Sequence, residues 1–349
     1  VEITIGKDTS MVRVGIIGLG MMGNTHLDVY AKRDDVEVVA VADMDPRRLS
    51  GEEKAGGNIE GQAEGGFDIN AKGLKKYDDG KKLIRNKNVD LVDICLPTPM
   101  HLDFARRALR SGKHVLVEKP VARTYRDAQK LAAVAEEVDS IAMCAMCMRF
   151  WPGWDWLKQA VDEQRYGKVQ AATFRRVTNH PGGAFYSDGD ACGGALLDLH
   201  IHDTDFVQHL FGMPNSVMSR GYSKITNKVD HVVTQYEYDD VPLVTAEGGW
   251  AMSDGFGFSM TYCVNFERAT AKFDIADANP LTLIEPGKGA QSVPLRAAMG
   301  YEVEIEYLFG CIARNEKPTV VTIADAAKAV KIAEAEARSV ATGKPVKIR

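Results

Sequence analysis

A chain of 349 residues with 45% hydrophobic content is long enough for two domains with packed cores. Its 43 basic and 48 acidic side chains leave a formal charge of −5, which removes electrostatic grounds for expecting nucleic acid or an anionic membrane as partner. No apolar run approaches the ~20 residues of a membrane span and the N-terminus lacks a signal-peptide pattern, so a cytoplasmic protein acting on a small molecule is expected. The six cysteines, Cys95, Cys144, Cys147, Cys192, Cys263 and Cys311, fall mostly in apolar segments and read as reduced, buried thiols.

Residues 1 to 10 are set aside because the first strand begins just beyond Met11. From there to about Val121, the runs VRVGIIG, VEVVAVAD, VDLVDICLP and HVLVEKP alternate with helical patterns, the signature of a parallel sheet with crossover helices. Gly112 suits the left-handed position that ends the helix LDFARRALRSGK. Between the second and third runs, the glycine-rich SGEEKAGGNIEGQAEGGFDINAKG is too irregular for one helix and reads as a solvated loop, with a flap near a cofactor as the alternative. TYRDAQKLAAVAEEV, with a capping pattern at Thr124 and Asp127 and Ala128, Leu131, Ala132 and Ala135 on one face, marks the passage between domains.

IAMCAMCM holds a CxxC at Cys144 and Cys147. No second pair accompanies it, so it reads as a buried strand rather than a zinc or redox motif. VQAATFRRVTN, SVMSRGYSK, HVVTQYEYD, PLVTAEGGW, FSMTYCVNF and RATAKFDIA then follow with short turns, predicting a second domain built on an antiparallel sheet. A final helix is expected from Thr322, through Ala329, Val330, Ala333 and Ala337, stopping before Gly343. The predicted class is α/β, with a dinucleotide-binding domain over 11–135 and an α/β domain over 136–349.

GIIGLGMMGNTH places Gly18, Gly20 and Gly23 in GxGxxG spacing directly after a strand and before a helix. In that context the glycines permit a tight turn, and the helix start at Met21 and Met22 offers free N–H groups and a positive dipole to a pyrophosphate. VVAVAD ends in Asp43, where a carboxylate can accept both ribose hydroxyls and would repel a 2′-phosphate. NAD is therefore expected over NADP, although Arg47 and Arg48 stand close enough in sequence to reach a phosphate.

DLHIHDTDF, residues 198 to 206, concentrates two histidines and three aspartates. On a helix, Asp198 and His202 share a face at i and i+4, followed by Asp205 and His209, so the aspartate can orient an imidazole that takes a hydroxyl proton. On the same helix His200 points away from His202. Only an extended segment would bring them together as metal ligands, and no metal is expected.

GIIGLGMMGNTH, DICLPTPMH, GKHVLVEKPVA, MRF and GGALLDLHIHDTDF, in that order, resemble the Gfo/Idh/MocA family of glucose-fructose oxidoreductase and inositol dehydrogenase relatives over nearly the whole chain. The resemblance implies a Rossmann domain followed by a domain with a large, mainly antiparallel open sheet that commonly carries a homo-oligomer interface, dimer or tetramer. It implies hydride exchange between nicotinamide and a sugar, cyclitol or polyol carbinol, with Lys119, Asp198 and His202 catalytic. Cofactor contacts are expected from the glycine loop and Asp43, and from Pro97, Thr98, His101, Glu118, Lys119 and Arg149. Substrate contacts are expected from Lys119, Arg149, His180, Asp198 and His202. The family usually has glycine where this chain has His200, so that histidine either touches substrate or packs against the neighbouring domain. An NAD-retaining glycosidase or epimerase and a non-catalytic nucleotide sensor are the alternatives.

Overall fold

The computed structural model describes residues 11–53, 62 and 66–348. Residues 1 to 10 and most of the glycine-rich stretch expected to be a loop lie outside the described residues. The chain forms two compact units, the first made of residues up to Ala122 with Arg126–Ala145 and Tyr301–Ala324, the second of Arg123–Tyr125, Met146–Gly300 and the segment from Asp325 on.

In the first unit, β1 (Val12–Ile17), α1 (Met21–Ala31), β2 (Val36–Ala42), α2 (Pro46–Ser50), β3 (Lys75–Tyr77), α3 (Gly80–Ile84), β4 (Leu91–Ile94), α4 (His101–Arg110), β5 (His114–Glu118), α5 (Tyr125–Glu137) and β6 (Ala142–Ala145) succeed one another. The strands form one parallel sheet in the order β3-β2-β1-β4-β5-β6. Val14, Ile16, Leu91, Val92, Val115 and Val117 are fully buried, as strands covered on both faces require. α4 buries His101, Phe104, Ala105, Ala108 and Leu109, a stripe at helical spacing, and ends before Gly112 at φ 74°, the left-handed residue its sequence predicts.

The division differs from the 135/136 boundary read from sequence. β6 pairs in parallel with Val115–Glu118 and completes the first sheet. Because β6 is buried throughout, it shows no alternation, and nothing local tells which sheet it joins.

The second unit runs through α6 (Trp154–Asp162), β7 (Val169–Asn179), α7 (Gly183–Ser187), α8 (Gly189–Cys192), α9 (Gly194–Asp198), α10 (Ile201–Phe211), β8 (Ser216–Tyr222), β9 (His231–Glu237), β10 (Leu243–Met252), β11 (Phe258–Phe266), β12 (Thr270–Asp274), β13 (Leu281–Glu285) and β14 (Gly289–Ser292). α11 (Gly300–Arg314) returns to the first unit, and α12 (Ile323–Thr342) and β15 (Val346–Lys347) complete the second. The nine strands are ordered β14-β13-β12-β11-β7-β10-β9-β8-β15, and every pair is antiparallel except β7 with β10. β9 alternates buried and exposed residues, so one sheet face is packed and the other open.

Trp154 anchors the packed face. It is fully buried, and the rings of Phe206, Tyr262, Phe174 and Phe273 lie 4.8 to 6.1 Å from it, so its role is packing. α12 stops before Gly343 as expected, but Ala337 is exposed while Glu336 and Ser339 are buried. The helix turns these polar residues inward because they are satisfied there: Glu336 accepts from Tyr236 and Thr204, and Ser339 accepts from the Ser219 amide. Cys144 and Cys147 are buried, as read from sequence, whereas Cys263 is exposed on β11.

Candidate functional site

The glycine loop of the first unit shows what each glycine is for. Gly18 has φ 98°, and a side chain there would meet the Cys95 carbonyl. At Gly23 an added Cβ would stand 1.9 Å from the Gly18 carbonyl oxygen, so the start of α1 can close onto the loop only without one. Gly20 is different: among the described residues, a Cβ there would meet no atom within 4 Å. The space beside Gly20, at the N-terminal end of α1 where no side chain of the described residues caps the helix, suits a pyrophosphate held by the amides of Met21, Met22 and Gly23.

Asp43 follows β2 and is locked to that loop, accepting the Leu19 amide at 2.7 Å and the Asp45 amide at 2.8 Å. Each oxygen retains a lone pair for a ribose hydroxyl. Arg48 lies 3.7 Å from Asp43, but it also pairs with Glu53, and Arg47 pairs with Asp45 and Glu53. Both arginines are thus engaged by carboxylates, and this donor set fits NAD.

Three expected cofactor contacts are revised by the geometry. His101 is fully buried and its ring nitrogens rest against the carbonyls of Leu96 and Pro120, so it clamps two strand-end turns and turns no ring nitrogen outward. Glu118 is buried against His26 and accepts the Lys119 amide. Its side chain is 6% exposed, so the carboxylate faces the interior. The third, Arg149, belongs to the second unit. Pro97, at the turn after β4, is exposed, Thr98 is buried beside it, and Lys119 at the end of β5 is half-buried.

In the second unit, α9 ends at Asp198 and α10 begins at Ile201, but Leu199 and His200 keep right-handed helical dihedrals between them. The turn continues, as the i to i+4 reading of Asp198 and His202 assumes. His202 is half-buried and Asp198 buried. His200 is fully buried, 3.6 Å from Glu336, and an added Cβ at Gly248 of β10 would meet its ring at 2.4 Å. It therefore packs into its own unit's core, and neither of the two roles expected for it from sequence describes that.

Arg149 is withdrawn from ligand contact as well. It forms a bidentate pair with Asp205 at 2.6 and 2.8 Å, with Asp325 at 3.8 Å, and its side chain is 3% exposed. Burial pushes the Asp205 carboxyl above its ordinary range against the pull of this guanidinium, and burial and Arg149 push His209 down to about 3. Asp205 and His209 thus leave the proton-handling set that helix periodicity assembles. His180 is also turned inward: Nε2 lies 3.2 Å from the Tyr186 carbonyl, Nδ1 accepts the Gly182 amide, and the ring packs edge-on against Trp250. With Cys192, Ala195, Phe185 and Tyr186, Trp250 forms a small core that orders the segment carrying Asp198.

The model of an oxidoreductase family with an NAD-binding Rossmann fold matches residues 12–146, and that of the GFO/IDH/MocA C-terminal domain matches 154–272. The chain belongs to the Gfo/Idh/MocA family. Among relatives of this Gfo/Idh/MocA protein, inositol 2-dehydrogenase of Rhizobium meliloti is 25% identical over 97% of the chain and 99% of that enzyme. Myo-inositol 2-dehydrogenase of Thermotoga maritima is 29% identical over 58% of the chain, a match spanning 55% of that enzyme. The solved structure of levoglucosan dehydrogenase with NADH and levoglucosan superposes with a TM-score of 0.84 at 19% identity, over 97% of this chain and 99% of that one, showing the shared fold. The family and the loop geometry agree on NAD as the cofactor, and the family is one of oxidoreductases. Asp43→Ala is expected to weaken NAD more than NADP, and a binding titration with equal loss for both would refute the ribose contact.

Proposed function

We propose that the protein is an NAD-dependent dehydrogenase or reductase of a sugar, cyclitol or related polyol, with Lys119, Asp198 and His202 handling the hydroxyl proton. The observation that carries this reading is the helical phase across α9 and α10. Leu199 and His200 keep right-handed helical dihedrals, so half-buried His202 follows Asp198 by one turn. Bound NAD supplies the hydride acceptor or donor. His202 takes the proton of the carbinol hydroxyl, Asp198 orients the imidazole and stabilises its charged form, and Lys119 donates a hydrogen bond to the oxygen as alkoxide character develops. The names of the relatives, two of which act on inositol, support the polyol class.

The test is the appearance of reduced nicotinamide when the protein meets NAD or NADP with myo-inositol, scyllo-inositol, levoglucosan and a panel of glucosides. Net reduction by one of these is expected. A protein that carries tightly bound NAD yet reduces none, while releasing or epimerising a sugar, would instead be the closed-cycle glycosidase or epimerase.

A homo-oligomer formed through the open face of the second sheet is also proposed. Tyr222, Val233 and Leu243, each 43 to 50% exposed, lie on the neighbouring strands β8, β9 and β10 of that face. Light scattering should give a dimer or tetramer mass; a monomer at micromolar concentration would exclude it.

A further inference from the structure

Beneath the glycine loop, the first unit buries ionisable groups that the proposed reaction does not use. His26 of α1 is fully buried, with Nδ1 2.8 Å from Asp93 of β4 and Nε2 at ion-pair distance, 3.4 Å, from Glu118 at the end of β5. Asp93 also accepts the Tyr30 hydroxyl at 2.7 Å and the Cys95 thiol at 3.4 Å, three donors in all. The other oxygen of Glu118 accepts the Lys119 amide at 3.0 Å. Glu304 of α11 is fully buried and neither of its oxygens has a hydrogen-bond partner among the described residues.

His26, Asp93 and Cys95 are metal-ligating types within 4.8 Å of one another. The geometry is nevertheless that of a proton. At 2.8 Å the nitrogen and oxygen are hydrogen-bonded, closer than the about 3.3 Å that separates ligand atoms on a tetrahedral zinc. Glu118 faces the opposite ring nitrogen, where it cannot share an ion bound at Nδ1.

We infer that His26 is a positioning residue: an imidazolium buried between Asp93 and Glu118, it holds the Glu118 carboxylate that fixes the Lys119 backbone. With the ring neutral, one nitrogen would turn a lone pair toward a carboxylate. Burial works against the charged ring, but the charge and hydrogen bond of Asp93, with the charge of Glu118, hold its pKa up to about 9. Burial also pushes the Glu304 carboxyl well above its ordinary range. The folded-state pKa is raised, so the stability this contact contributes is complete below the ordinary histidine value of about 6.5 and is lost as pH rises through about 9. The inference deepens the proposed function, resting on it for the role of Lys119.

The test is nitrogen NMR of the full chain as wild type and His26→Gln, with turnover measured on whichever polyol of the panel is oxidised. In the wild type both His26 ring nitrogens should carry protons at neutral pH, and in His26→Gln the Lys119 amide proton should move upfield as its acceptor is released. Turnover should fall about 10 to 100-fold with KM for the polyol and NAD affinity little changed, as expected for a misplaced group that still binds. A neutral ring in the wild type, or a Lys119 amide unmoved in the variant, would overturn the inference. If His26→Gln does not fold, Glu118→Gln keeps the shape and removes one anion, so the ring's titration midpoint should drop; an unchanged midpoint is equally fatal. Lys119→Met separates the two readings. Wild-type turnover there would sink the role of Lys119 and leave the NMR result standing, whereas an inactive Lys119→Met beside a fully active His26→Gln would sink the positioning role alone.

Discussion

Replacing His202 by alanine is expected to lower turnover about 100 to 10,000-fold, the range for loss of a general base, while NAD affinity stays nearly unchanged. The separation of the two effects follows from where the groups lie. The glycine loop and Asp43 belong to the first unit, whereas His202 sits on α10 of the second. His202→Ala removes an imidazole that is half-buried, so the change leaves little cavity and the protein should unfold close to the wild-type midpoint. Steady-state kinetics beside a nucleotide titration make the check. Unchanged turnover would remove His202 from the reaction, and a parallel loss of NAD binding would mean that the histidine supports the cofactor instead.

Arg149→Met should cost about 3 to 5 kcal/mol of stability, the usual penalty for leaving one member of a buried ion pair alone. Methionine restores much of the volume, so the loss reports the charge more than a void. The sign of its pH dependence is fixed by Asp205. Without Arg149 the buried carboxyl has a folded pKa above its unfolded one, so the folded state binds the extra proton and the variant loses stability as pH rises through the carboxylate range. The deficit should therefore be larger near neutral pH than under mildly acidic conditions. Urea unfolding at the two pH values measures it, and a deficit below about 1 kcal/mol at neutral pH would mean that Arg149 and Asp205 do not depend on each other.

The successive strands of the second sheet were legible because the six predicted runs carry β-branched and aromatic residues bounded by turns; VQAATFRRVTN forms β7 residue for residue. The short β13, β14 and β15 were not, since strands of two to five residues at or next to an edge have too little pattern to stand out from loops. The nucleotide end was legible as well, because GxGxxG between strand and helix is a local backbone requirement. By contrast, the Tyr236, Thr204, His200 and Glu336 cluster gave no signal, since its members lie up to 136 positions apart in sequence and each alone looks like a solvated polar residue.

By itself the sequence determined the class of fold, the glycine loop with Asp43 behind it and the helical phase that sets Asp198 and His202 one turn apart. These are properties of neighbouring residues, decided by local sterics, period and dipole. Only the tertiary structure decided which of the chemically eligible side chains are committed to the fold. Arg149, Asp205, His101, His180, His200 and Glu118 all carry groups suited to binding or catalysis, and each is taken up by a partner from elsewhere in its own unit or by its own neighbours. Whether a polar group is spent on the fold or kept for chemistry depends on which distant donor or acceptor arrives beside it when the core desolvates them, and that pairing is written in no local pattern.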